Sequence, residues 1–153
     1  MTTKTDVLKL LHDQKQNARM DISHPDEMRK EWLDALEALM TQFESWLKAA
    51  EDRRLIQVDR LSITLNEKII HQYDAPRLII TLPRGDIVEI QPKGLFIVGG
   101  KGRVDFIRIP KQKYLIRTDK GEWEFVEPNP VGGWKHQPLD ESSFWEVIGQ
   151  LAI

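Results

Sequence analysis

Residues 46–65 read Trp46-Leu47-Lys48-Ala49-Ala50-Glu51-Asp52-Arg53-Arg54-Leu55-Ile56-Gln57-Val58-Asp59-Arg60-Leu61-Ser62-Ile63-Thr64-Leu65, and within them the hydrophobic period changes. Up to Asp52 the apolar positions recur by sevens, as on a helix. From Leu55 they recur by twos, as on a strand half covered by a core. The chain is therefore expected to be an α+β domain with its helical part in 1–53 and a mostly antiparallel sheet in 54–127. A loop and a closing helix are expected over 128–153.

Upstream of that switch, the span 24–52 carries three apolar series: Trp32, Leu39, Trp46; Leu33, Met40, Leu47; and Leu36, Phe43, Ala50. Together they make one broad stripe, with Glu31, Asp34, Glu37, Glu44 and Lys48 on the other side. A helix of that length is roughly 43 Å long at 1.5 Å per residue. It must lie across the whole sheet or pack on a second copy of itself, so a homodimer through residues 24–52 is a standing expectation. Ser23 and Asp26 have the spacing of a capping box, with Pro25 in the first turn. A shorter helix over 5–18 is expected before it, capped by Thr5, with Val7, Leu8, Leu10 and Leu11 as its apolar side.

Downstream, β-forming segments alternate with turn residues every 8–12 positions, the rhythm of antiparallel strands. The expected strands are 55–65, 77–82, 86–91, 94–99, 103–109, 113–118 and 122–127. In the first, the alternation shifts phase from Ile56 and Val58 to Leu61, Ile63 and Leu65. A bulge near Asp59-Arg60 or a few more residues of helix would account for the shift. Segment 127–138, with three prolines and two glycines, reads as a loop or tether. Asp140 then caps a last helix whose buried face is Phe144, Val147, Ile148 and Leu151, stapled by Leu139.

Composition removes several function classes. There is no cysteine, so neither a disulfide framework nor a thiolate metal site nor a cysteine nucleophile can be built. The first residues lack a basic start and a continuous apolar run, and no apolar run spans a bilayer; a cytoplasmic protein with no membrane partner is expected. Formal net charge is −2 but unevenly placed. Residues 1–52 hold 7 Lys/Arg against 11 Asp/Glu, whereas 101–120 hold 7 against 2. The four histidines are scattered without metal-ligand spacing.

Three functional expectations follow. The first is a small non-enzymatic interaction protein with an unidentified protein partner, no cofactor and no metal. Its contact site is the loop Gly99-Gly100-Lys101-Gly102-Arg103, with Arg108 and Trp134. Glycines there would let backbone N–H groups converge on an anion beside Lys101 and Arg103, although a hairpin turn needs the same glycines. Trp134, stranded in a Gly/Pro-rich segment, is a partner anchor or a lid over the core. The second is a metal-dependent nuclease using Asp74, Asp86 and Glu89, a set loosely similar to the PD-(D/E)xK nucleases. Gln91 replaces their lysine and no Pro-Asp pair precedes it. The third is nucleic-acid or polyanion binding through the basic 101–120 region, where base-stacking aromatics are limited to Phe106 and Tyr114.

Overall fold

The computed structural model describes residues 3–96 and 100–153, with the backbone path alone for 14–23. Three helices, α1 (Lys4–Ser23), α2 (Pro25–Asp52) and α3 (Glu141–Ala152), accompany seven strands. These are β1 (Gln57–Glu67), β2 (His71–Thr81), β3 (Ile87–Gly94), β4 (Arg103–Arg108), β5 (Lys111–Arg117), β6 (Trp123–Pro128) and β7 (Trp134–Pro138). Every strand pairs antiparallel with the next, so the sheet is one meander in the order β1 to β7. The expected α+β layout is the observed one.

The stripe on α2 finds its partner inside the chain. Trp32, Leu36, Leu39, Met40, Phe43 and Leu47 are buried, joined by Leu78, Ile80, Val88, Ile90, Val104, Phe106, Leu115 and Phe125 from the sheet. Helix α3 closes the same layer with Phe144, Val147, Ile148 and Leu151. An aromatic cluster marks the junction. Phe43 stacks on Phe144 with centroids 4.9 Å apart and meets Phe106 edge-on at 5.4 Å; Phe106 meets Phe125 at 5.3 Å. With its apolar side spent on the core, α2 no longer supplies the stripe that pointed to a dimer through 24–52.

Helix ends follow local chemistry, with two corrections. Thr3, not Thr5, caps α1 in a capping box with Asp6. His24, not Ser23, stands at the start of α2 and makes no side-chain cap; the Ser23 side chain of the expected Ser23–Asp26 box lies outside the described side chains, and Asp26 accepts from Arg29 at 2.7 Å. Asp140 caps α3 as expected, in a box completed by Ser143. The period change after Asp52 is a built stop. Leu55 N–H reaches back to Ala50 C=O and Arg54 N–H to Glu51 C=O, with Arg54 left-handed at φ +58°. This is the Schellman arrangement with arginine where glycine usually sits.

The phase shift in β1 is neither bulge nor helix. Pairing with β2 runs unbroken from Gln57↔Thr81 to Glu67↔His71. Strand β3 pairs with β2 over Leu78 to Thr81, so, among the described residues, positions 71–77 of β2 have β1 as their sole strand neighbour. Two-stranded ribbons twist more than sheets. The rolled ribbon turns Tyr73 and Ala75 inward at one end and Leu78 and Ile80 at the other, and the phase changes with no residue inserted.

The expected and observed strands differ at three more places, the first being that β2 begins at His71, six residues before the expected start at 77, and makes a hairpin with β1. Gly94 ends β3, which runs on past the expected stop at 91, and Leu95 and Phe96 leave the sheet, so the expected separate strand 94–99 is not present in its described part; Ile97, Val98 and Gly99 lie outside the described residues. Segment 127–138 is not a tether. It is the end of β6, a turn through Gly132 and Gly133 at positive φ, and β7. Asn129 ties the turn, its C=O accepting from Gly132 N–H and its side chain from Val131 N–H.

Candidate functional site

The glycine-rich loop is held by the chain itself. Arg117 C=O accepts from Lys101 N–H, and Gly102 C=O accepts from Arg117 N–H, both at 2.8 Å. A Cβ on Gly102 would lie 2.2 Å from the Trp32 ring, and its φ is +140°. Glycine is required there for contact with α2. Two neighbouring N–H groups do converge on an anion, but four residues earlier. Leu95 and Phe96 donate to Oε1 of Glu67 at 3.0 and 3.2 Å. The other carboxylate oxygen accepts from the Tyr73 hydroxyl, which accepts from the Trp32 indole at 2.9 Å. Burial, followed by the hydrogen bond to Glu67, holds the Tyr73 phenol well above the usual tyrosine range. The relay Trp32–Tyr73–Glu67 thus joins α2, β2, β1 and the loop.

The basic residues of 101–120 are largely engaged within the chain. Arg103 grips Asp105 through Nε at 2.7 Å and Nη2 at 2.8 Å, and lies over the Tyr114 ring at 4.7 Å. Arg108 donates to Leu151 C=O at 2.6 Å and to Asp86 at 2.8 Å; Lys111 donates to Ile153 C=O at 2.6 Å. Both serve the exposed carbonyls that end α3. Arg117 pairs with Glu31, and Lys113 lies 3.8 Å from Glu127. The guanidinium of Arg117, ahead of a nearby Lys101, holds the Glu31 carboxyl below the usual range against the opposing effect of burial. Five of the seven cations therefore have partners, which leaves Lys101 and Lys120 as the least committed charge.

The three carboxylates of the nuclease reading are spread along the sheet. Glu89 pairs with Ile79, five residues along β2 from Asp74, or about 17 Å at 3.3 Å per residue. Asp86 lies past the β2–β3 turn, beyond Thr81, about 23 Å from Asp74 on the same scale. Asp74 accepts from Thr64 at 2.6 Å, Asp86 from Arg108, and Glu89 faces Arg77 at 3.6 Å. Among the described residues no group of three or more His, Asp or Glu is gathered to hold a metal.

Asp105, absent from the sequence-level candidates, is the one fully buried carboxylate among the described residues, on the sheet face turned away from the helices. Both oxygens are committed, to Arg103 and to the Gln112 amide at 2.7 Å. Such a network fixes strand partners, and complete burial keeps the carboxylate from any substrate.

The least satisfied part of the described molecule is the corner made by β7 and α3. Trp134 is 59% exposed and Val131 at the hairpin tip 91% exposed, so the core-lid reading of Trp134 falls. All five residues of β7 are exposed. Leu139 N–H donates to Trp123 C=O and Asn129 N–H to Gly133 C=O, which sets the alternation of the β6–β7 ladder. Lys135 and Gln137 then direct their backbone groups to β6, while Trp134, His136 and Pro138 direct theirs outward. Proline has no N–H, and the Pro138 C=O accepts from the Ser143 hydroxyl at 2.9 Å. The open edge is thus reduced to the N–H and C=O of Trp134 and His136.

Beside this edge, on the helix side, is a cleft of about 340 Å3. Phe125 and Val147 contribute apolar surface, and Lys113, Glu127, Lys135 and Glu146 contribute charge. Cross-strand pairing sets Lys113 opposite Glu127 and, one strand on, Glu127 opposite Lys135, with both amines 3.8 Å from the carboxylate. Gln137 reaches Glu146 of α3 at 3.2 Å. The edge escaped detection in the sequence because Trp134-Lys135-His136-Gln137 has polar residues on both faces and prolines on both sides. Only the turn residues Asn129, Gly132 and Gly133 signalled a hairpin.

Searches against protein-family models, curated proteins and solved structures returned no significant match for this chain.

Proposed function

We propose that the protein is a non-enzymatic interaction module whose contact surface is the β7–α3 corner. One observation carries this reading: an exposed tryptophan on a strand with an unpaired edge, beside a cleft lined by charged, amide and apolar side chains. Tryptophan is costly to leave in water and is enriched among residues that dominate protein interfaces. The candidate acids and bases support no chemical step. Asp74, Asp86, Glu89 and Asp105 are separated or neutralised, and Arg103 and Arg108 are engaged by the fold. A photo-reactive amino acid at position 131 or 134 in cells should cross-link a partner, while the same group at position 120 should not. Equal cross-linking at all three positions, or none at the first two, rejects the reading.

A second reading rests on α1. Val7, Leu8, Leu10 and Leu11 are each 41–56% exposed, so its apolar side faces away from the core. An antiparallel pair of such helices brings the Lys4 end of one beside the Asp13 end of the other. We propose self-association here rather than through 24–52. Sedimentation velocity at 100 micromolar should show a dimer that Leu8→Glu with Leu11→Glu abolishes; a monomer in the parent protein dismisses it.

A further inference from the structure

We infer that the β7 edge accepts an extended acidic peptide as an eighth strand of the sheet. The inference rests on the β7–α3 corner being the contact surface and names what that surface takes. The outward N–H and C=O of Trp134 and His136 sit two residues apart, the repeat at which a strand offers paired hydrogen bonds to a neighbour. Among the described residues nothing meets them. Pro138, whose N–H is missing and whose C=O is taken by Ser143, ends the edge. The site is therefore short and admits a segment of about five residues rather than a whole sheet.

Charge sets the sequence of the guest. Along one row the helix-side ladder reads Lys113, Glu127, Lys135, positive, negative, positive. The next strand completes the alternation with a carboxylate opposite Lys135. Residues on either side of that carboxylate fall on the other sheet face, next to Trp134 and His136, where an apolar side chain covers the exposed indole. A second copy of β7 is a poor guest. Pairing Trp134 with His136 of another molecule in both directions sets two copies of Lys135 directly opposite each other.

The test uses the whole protein and two blocked pentapeptides, acetyl-Thr-Val-Glu-Val-Thr-amide and its analogue with lysine at the centre. Amide hydrogen exchange should show added protection at Trp134 and His136 with the glutamate peptide, and none added at Lys135 and Gln137, which already face β6. The glutamate peptide should bind about three- to tenfold more tightly than the lysine one, as expected of an opposite-charge pair replacing a like-charge pair. Lys135→Glu should reverse that order. His136→Pro removes an outward N–H without breaking the β6 ladder, and should abolish protection while circular dichroism is unchanged. Equal affinity for the two peptides overturns the inference, as does absent protection at millimolar peptide, or a dimer of the free protein that His136→Pro dissolves. Cross-linking at position 134 without amide protection leaves the contact surface standing and removes the eighth strand alone.

Discussion

Gly102 and Glu31 show how much depends on single side chains. Gly102→Ala forces a methyl into the Trp32 ring at an angle that L residues rarely adopt, and Trp32 is packed on all sides. The variant should lose more than about 2 kcal/mol in urea unfolding, because overpacking and backbone strain act together. The glycine was visible in the sequence as part of a suggestive anion loop. Its purpose was not, since the ring it clears is 70 residues away. Glu31 gives a pH prediction. Its folded pKa lies below 4.5, chiefly through Arg117, so its stabilisation is present above 4.5 and lost as pH falls through the lowered value. Glu31→Gln should therefore flatten the acid limb of the stability curve. Near pH 7 it should cost less than about 1 kcal/mol, since the carboxylate is well exposed and solvent screens the pair.

Among the elements, α2 and β7 stand at opposite limits of legibility. The α2 stripe could be read because a helix face repeats within the sequence, and six of its expected apolar residues are buried. Its stop was readable only as a change of period. The Schellman hydrogen bonds that make it depend on Arg54 taking a positive φ, which sequence alone does not assign to arginine. Arg54→Gly should raise stability by about 0.5–1 kcal/mol in chemical denaturation by removing the left-handed penalty at an exposed position. Strand β7 could not be read. It has no buried face, so no apolar period exists to betray it, and its pairing with β6 comes from the turn at Asn129 to Gly133. The rolled β1–β2 ribbon failed for a related reason. Alternation is a guide to facing only while a strand keeps one orientation toward the core.

For the whole molecule, the division is between a helix-covered sheet and a helix outside it. Buried side chains run continuously from α2 through β2–β6 to α3, whereas the described side chains of α1 add none. Deleting residues 1–13 should shift Tm by no more than a few degrees in calorimetry, because the described side chains there are exposed and return little apolar area to water. A collapse of the transition would show that α1 is part of the cooperative unit. No described helix is long and apolar enough to cross a membrane.

Periodicity and punctuation determined the α+β class, the long stripe on α2 and the turns between β2 and β3, β4 and β5, and β5 and β6, as well as the capped closing helix. Each is a local pattern, written within a few turns or one hairpin. Tertiary structure alone decided what that stripe packs on and how the ribbon rolls. It also decided which cations become caps or ion pairs, and that Trp134 stands in solvent beside an open edge. Those outcomes depend on groups tens of residues apart arriving within about 3 Å of each other, a relation that spacing along the chain does not carry.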